Sequence, residues 1–422
     1  VALLTRTVIT TSGQDGWDAL DHVVSADEGT DHAPRPIPVE LWPELLDFIT
    51  PRDALDICFA AYDRQHTDHA ITAFRKAITS TQPDQASMAA CGLGILLQEQ
   101  GDTDGARAAY QHAIDSGHPD HGPTAAYNLG LLLQEQGDAD GARAAYQHAI
   151  DSGHPDHGPT AAYNLGILLM KWDDTDGAQA AFQHVIDSSQ PDHAPKAAVH
   201  LGLLLMEQGD TDGVRTSYQR AIDSSQPEES PLAAVHLGLL LSQLNDTDGA
   251  RTAFQLAIDS GHPDHAPKAA VHLGLLLDEQ GDPAGAQAAY QHAIDSGQPD
   301  HAPAAAFSLG VLLMEQGDPA GAQAAFQHAI DSDRPEESPI AAFSLGVLLM
   351  EQGDADSALA AFQHAIDSGH PDYAPAAAYH LNLLLQEQEN MDDTRETCPQ
   401  VVATVDPNSM EGLEGDIASG PA

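Results

Sequence analysis

Apolar and polar positions along this chain recur with a helical period inside short stretches, and the stretches recur every 36 residues. In the segment from Thr124 to Pro159, Ala126, Leu129, Gly130 and Leu133 stand at three- and four-residue intervals and form one apolar stripe. Ala142, Ala145, Tyr146, Ala149 and Ile150 form a second. Gly137 stops the first helix and Asp138 caps the next. Copies reading Asp282-Pro283 and Asp318-Pro319 support this boundary, because Asp suits the N-cap and Pro the first helical position. Gly153 and Pro155 end the second helix, and Pro159 starts the following one. Helices of about three turns do not persist alone, so stacking must stabilise them.

The Leu-Gly pair of the segment falls at Gly94, Gly130, Gly166, Gly202, Gly238, Gly274, Gly310 and Gly346, without insertion or deletion. Self-similarity at this period is the mark of a solenoid, in which each unit packs on its neighbours. Residues 1–51 read as a loose leader ending in a short capping helix over Val39 to Ile49. Residues 52–87 read as a degenerate first copy, with Ala70, Phe74, Ala77, Ile78 and Pro83 in register. Residues 88–375 hold the eight copies. Residues 376–401 read as a degenerate C-terminal cap, in which Asn382 replaces the glycine, Cys398 takes the aromatic position and Pro399 follows. Residues 402–422 read as a disordered tail.

Charge narrows the function. The chain has 422 residues, 64 Asp plus Glu against 16 Lys plus Arg, and a formal net charge of −48. Such a surface repels phosphate backbones and anionic membranes, which speaks against direct nucleic-acid or lipid binding and for basic or apolar protein partners. Solubility, or adaptation to a salty cytoplasm, accounts for the acidity equally well. Cys58, Cys91 and Cys398 are odd in number and irregularly spaced, so neither a disulfide framework nor a zinc pattern is written. The first ten residues lack the pattern of a signal peptide and no apolar run reaches membrane-spanning length, so a cytoplasmic protein is expected.

Leu129-Gly130, Gly137-Asp138, Ala142, Tyr146, Ala149-Ile150 and the following proline resemble the tetratricopeptide repeat. The resemblance covers Arg52 to about Gln388. It departs from the family's usual unit by two extra residues in the loop between copies, and by small residues at Ala126 and Leu133. The unit length also suits Sel1-like repeats, whose second-helix pattern matches less well. The resemblance implies an all-α, right-handed superhelical solenoid of stacked helix-turn-helix repeats. It further implies that first helices line a concave groove, placing Tyr127, Leu131, Gln134, Glu135 and their equivalents on that side.

Comparing copies shows where the groove positions vary. One pair of rows reads Tyr127-Asn128, Tyr163-Asn164, Val199-His200, Val235-His236, Val271-His272, Phe307-Ser308, Phe343-Ser344 and Tyr379-His380. Another includes Gln134, Met170, Met206, Met314 and Met350, with Ser242, Asp278 and Gln386 between or beyond them. Aromatic rings beside small polar groups, edged by adaptable methionines, suit a peptide or helix of a partner, and place Tyr127, Phe307 and Phe343 outward from the packed core. Drift after duplication in blocks fits the same letters. The family's basic clamp for a C-terminal carboxylate is absent, since Lys196 and Lys268 stand isolated.

Two motifs bear on chemistry. His118-Pro119-Asp120-His121, repeated as His154 to His157 and His262 to His265, offers imidazoles and a carboxylate to a transition metal. Copies reading Gln190-Pro191-Asp192-His193 and Arg334-Pro335-Glu336-Glu337 drop those ligands, so a solvated loop is expected and no metal. Asp102-Thr103-Asp104-Gly105 opens like a calcium loop but lacks its closing Glu, and reads as a helix cap. The row of His112, His148, His184, His292, His328 and His364 reads as a half-exposed outer face. No nucleophile setting or phosphate loop is present, so neither catalysis nor a cofactor is expected. The leading function is a protein–protein interaction scaffold, its oligomeric state open. The alternatives are a sensor arm serving an enzyme or transcription factor encoded separately, and an acidic mimic of nucleic acid.

Overall fold

Turn chemistry divides the chain into helices. The computed structural model describes residues 41–63, 65–188 and 190–397, and all regular structure among them is α-helical. Contacts divide the chain into two units, 1–230 and 231–422. The first holds α1 (Leu41–Phe48), α2 (Ala54–Asp63), α3 (Thr67–Ala77), α4 (Pro83–Glu99), α5 (Thr103–Asp115) and α6 (His121–Glu135). It continues with α7 (Ala139–Asp151), α8 (His157–Met170), α9 (Thr175–Ser188), α10 (Ala194–Gln208) and α11 (Thr211–Asp223). The second holds α12 (Glu229–Gln243), which begins just before the division, then α13 (Thr247–Asp259), α14 (His265–Glu279), α15 (Pro283–Asp295) and α16 (Ala302–Glu315). It ends with α17 (Pro319–Asp331), α18 (Glu337–Glu351), α19 (Ala355–Asp367) and α20 (Tyr373–Thr397). The expected leader before Leu41, Cys398, Pro399 and the expected tail from Val402 lie outside the described residues.

The turn inside each repeat serves two helices at once. Gly137 takes φ +75°, its N–H bonding Gln134 O at 3.1 Å while the Asp138 N–H bonds Leu133 O at 2.9 Å. This pair of bonds closes α6 by the left-handed route that glycine permits without a Cβ penalty. Asp138 then accepts the Gly141 N–H at 3.0 Å and opens α7. Asp102, Asp174, Asp210, Asp246, Asp282 and Asp318 do the same for their helices.

The first and second helices of a repeat meet through a glycine and a ring. A Cβ placed on Gly130 would lie 2.4 Å from a Tyr146 ring carbon, so the ring lies flat on the bare backbone of α6. Gly94 meets Tyr110 in the same way, Gly166 meets Phe182, and in the second unit Gly310 meets Phe326. Tyr146, Ala142, Ala145 and Ala149 are buried, as are Ala126, Leu129 and Leu133 across from them. Ile150 is half-buried at the edge. Second helices then pack against the next first helix, as α7 does on α8, and successive first helices touch, as α4 does α6 and α16 does α18.

The loop between repeats is a lateral clip. His118 Nδ1 accepts the N–H groups of Asp120 and His121 at 3.1 and 3.2 Å, capping the start of α6. Its Nε2 lies 3.5 Å from Asp84, one repeat earlier. His154 is bonded alike, with Asp120 at 3.9 Å. Copies without histidine still reach back: Gln190 donates to Pro155 O at 2.7 Å, and Arg334 donates to Pro299 O at 2.8 Å. At the other edge, Arg107 lies 3.5 Å from Asp138, Arg143 3.3 Å from Asp174, and Arg251 3.7 Å from Asp282. These three arginines thus stand among the cap carboxylates.

At the ends, α1 covers α3. Trp42 is fully buried, its ring 5.4 Å from His66 and 5.9 Å from His69. Lys76 Nζ donates to Leu46 O at 2.8 Å and Asp47 O at 3.3 Å, which satisfies carbonyls at the end of α1. Helix α20 starts three residues before the cap expected over 376–401. Asn382 is exposed at the glycine position. No helix among the described residues is long and apolar enough to cross a membrane.

Candidate functional site

In the inner repeats, one stripe of every first helix stays open while the rest is covered. On α6 the buried positions are Gly122, Pro123, Ala125, Ala126, Leu129, Gly130, Leu132 and Leu133; the open stripe runs through Thr124, Tyr127, Asn128, Leu131, Gln134 and Glu135. The stripe returns on each first helix and makes a face in each unit.

The variable pair at Tyr127 and Asn128 turns out to be largely occupied by contacts within the chain. Tyr127 is half-buried, 6.3 Å from the Tyr146 ring and 5.9 Å from His157, and its hydroxyl accepts from Asn164 Nδ2 at 3.4 Å. Tyr163 bonds His200 Nε2 through its hydroxyl at 3.1 Å, and His200 stacks on Phe182 at 5.4 Å. His272 stacks on Phe254 at 5.8 Å, and His380 on Phe362 at 5.6 Å. Ser308 is hydrogen-bonded to Tyr290. A flat imidazole therefore covers a phenyl ring of the preceding repeat, while Ser308 meets a phenol hydroxyl. Ser344, above Phe326 by position, departs from this pairing and is half-buried.

Three expectations need correction. Val199 and Val235 are buried, at 5% and 0% exposure, and form no part of an open face. These two short side chains pack down between the helices. Phe307 and Phe343 do not stand clear of the core: they lie 5.9 Å from Phe326 and 6.0 Å from Phe362, and Phe343 is also 5.5 Å from His380. Tyr127 is tied down as described above. Tyr379, at 63% exposure, is the ring in this row that does project. Val271, Asn164 and His236 are half-buried.

The methionine row has an internal partner as well. Gln134 accepts the Tyr146 hydroxyl at 3.2 Å, and Gln98 that of Tyr110 at 2.9 Å. Where the second-helix ring is Phe182, Phe326 or Phe362, the matching position holds Met170, Met314 or Met350. A hydroxyl to satisfy calls for a polar partner, and its absence allows a thioether. Met206, below Tyr218, breaks the match and is exposed. The three matching methionines are half-buried.

What remains open is a row that does not vary in character. Ile95, Leu131, Ile167 and Leu203 in the first unit, and Leu239, Leu275, Val311, Val347 and Leu383 in the second, are all aliphatic and all half-buried or exposed. One helical turn on stand Glu99, Glu135, Glu207, Glu279, Glu315 and Glu351, interrupted by Lys171 and Gln243. The resemblance already placed Leu131 and its equivalents on this side; within the sequence alone an unchanging aliphatic position looks like core, and its offset of one residue from the glycine is the sign that it points elsewhere.

The rest of the chemistry is quiet. Burial pushes the Cys91 thiol up to about 11 and raises that of Cys58 further, out of the range of thiolate reactivity. Burial also holds His200, His236 and His272 below the usual imidazole value; for His272, with Lys268 and His301 adding repulsion, the result is about 4. The described residues contain no group of three or more His, Cys, Asp or Glu placed to hold a metal.

The family model described as Tetratricopeptide repeat matches residues 91–159, 163–229, 201–270, 271–322 and 307–374, well over half of the chain. No curated protein matches it. Similar solved structures include the C-terminal part of a TPR repeat-containing protein from Cytophaga hutchinsonii, at 15% identity, covering 59% of this chain and 97% of that one with a TM-score of 0.45. A tetratricopeptide repeat protein from Parabacteroides merdae has 17% identity, covers 71% of this chain and 99% of its own, and gives a TM-score of 0.34. YrrB, described as a TPR protein with an unusual peptide-binding site, has 21% identity over 46% of this chain and 95% of its own, with a TM-score of 0.36.

Proposed function

The chain belongs to the tetratricopeptide repeat family, and from that premise we propose that it is a non-enzymatic scaffold holding a peptide or helix of a partner protein on its first-helix face. One observation carries this reading. A solvent-facing position, taken by Ile95, Leu131, Leu275, Val311 and their equivalents, stays aliphatic in every copy. A partly exposed apolar row bordered by carboxylates costs solubility and contributes less to the stack than the buried alanines and rings, which fits a surface meant to be covered.

The partner is basic or apolar, given the net charge of −48 and the glutamate row beside the aliphatic one. The variable rows at Tyr127, Asn128 and Gln134 also tune the packing of the stack, and their apolar or exposed members, such as Phe307, Met314, Tyr379 and Met206, stand beside the aliphatic row where the partner lies. Affinity capture from the source cells tests the proposal. Proteins retained by the wild-type chain should be lost with Leu275→Gln plus Val311→Gln and kept with Gln291→Ala plus Gln327→Ala on the second helices. Retention by both variants, with circular dichroism unchanged, would count against a first-helix binding face.

A further inference from the structure

We propose that paired apolar strips on α16 and α18 form a dock for a cationic amphipathic helix of the partner. This rests on the first-helix reading above and adds the partner's chemistry. Phe307, Val311 and Met314 lie on α16 at steps of four and three residues, so they share one line along the helix. Phe343, Val347 and Met350 repeat that line on α18, which touches α16. All six side chains are half-buried.

The other first helices of this unit interrupt the line. At the methionine position α12 carries Ser242, α14 Asp278 and α20 Gln386. The two strips are therefore the one place in the second unit where adjacent first helices are apolar at all three positions. Each strip is ~12 Å long from its Phe to the glutamate beyond its Met, and the two stand ~10 Å apart. Those dimensions fit two to three turns of a helix presenting anchors at i, i+3 or i+4, and i+7. Flexible thioethers beside aromatic rings adapt to such a surface.

Charge selects the occupant. Glu315 and Glu351 are exposed at the C-terminal ends of the two strips. There the helix macrodipole is also negative, so a carboxylate is locally unfavourable and a partner's Lys or Arg relieves it. Between Ala302 and Glu351 there are seven acidic residues and one Lys or Arg, Arg334, which is paired with Asp300. An anionic segment is repelled from this site.

The test uses the full chain and three fluorescein-labelled peptides about five helical turns long. One places Leu and Lys in amphipathic helical order, a second scrambles that order, and a third replaces Lys with Glu. Fluorescence anisotropy should show the ordered Lys peptide binding at least ~10-fold more tightly than the scrambled one, and the Glu peptide not binding. Val311→Asn plus Val347→Asn should weaken the ordered peptide ~10-fold with melting temperature retained. Glu315→Gln plus Glu351→Gln, at exposed positions where folding is not at stake, should weaken it as well. Equal binding of ordered and scrambled peptides, or indifference to both variant pairs, would overturn the dock. Preference for the Glu peptide that is still lost in the valine pair would overturn the cationic chemistry and leave the first-helix reading standing. Binding that ignores the face and cross-links to second helices would remove both.

Discussion

Gly122 and Gly130 lie eight residues apart on one helix, and the structure gives them opposite roles. A Cβ on Gly122 would meet nothing nearer than Ala113 O at 3.8 Å, whereas one on Gly130 would meet the Tyr146 ring at 2.4 Å. Other copies agree, with Ala194, Ala266 and Ala302 standing at the Gly122 position. Gly122→Ala should therefore be neutral or stabilise by up to ~1 kcal/mol through helix propensity, while Gly130→Ala should cost ~1–3 kcal/mol as overpacking. Urea unfolding of the two variants checks this, and similar losses at both would refute the ring contact. His272 supplies a pH test. Its folded pKa of about 4 lies below the usual 6.5, so as pH falls through 6.5 the unfolded chain takes up a proton that the folded chain refuses. Stability from this group is complete above about 6.5 and declines towards pH 4. Melting temperature should thus fall more steeply between pH 7 and 5, a range set by the imidazole value of about 6.5, in the wild type than in His272→Asn. Parallel curves would show that the ring is not held neutral by the fold.

At the scale of the element, the cap residues explain why the units hold their length. Asp138 bonds the Gly141 N–H and faces Arg107 of the preceding repeat. The ion pair is exposed and worth little, so Asp138→Ala should cost ~1 kcal/mol through the cap, and Asp138→Asn, which keeps the acceptor, should recover most of it. Equal losses in the two variants, measured by denaturant unfolding, would assign the effect to charge instead. The capping role of Asp138 was legible in the sequence because Asp-Pro copies mark the boundary. That of His118 was not. Two imidazoles and a carboxylate suggest a metal or an idle loop, and only the bonds from Asp120 and His121 to Nδ1 reveal a helix cap. The period and the all-α class were likewise readable, since each follows from spacing. The variable rows misled for a physical reason. Contacts such as Gln134 with Tyr146 or His200 with Phe182 join residues 12 or 18 apart in sequence, across helices, and variation matched to a neighbour looks the same as variation matched to a ligand.

Across the whole molecule, charge and the open aliphatic row dominate. Arg107, Arg143 and Arg251 offset some repulsion along the cap edge, yet 64 acidic residues face 16 basic ones. Repeats stand ~10 Å apart, close to the Debye length at physiological salt, so repulsion between them is partly screened there and strong at low ionic strength. Raising NaCl from about 10 to 300 mM should raise the melting temperature, and a fall would show that attraction governs these edges. The binding face is tested most directly by site-specific photo-cross-linking in the source cells. A photoreactive residue is placed in turn at Leu131, Leu275 and Val311 on first helices, and at Gln147, Gln291 and Gln327 on second helices. Cross-links to a shared partner at the first three positions and none at the other three are the expected result. Cross-links concentrated on the second helices would contradict a partner held on the first-helix face.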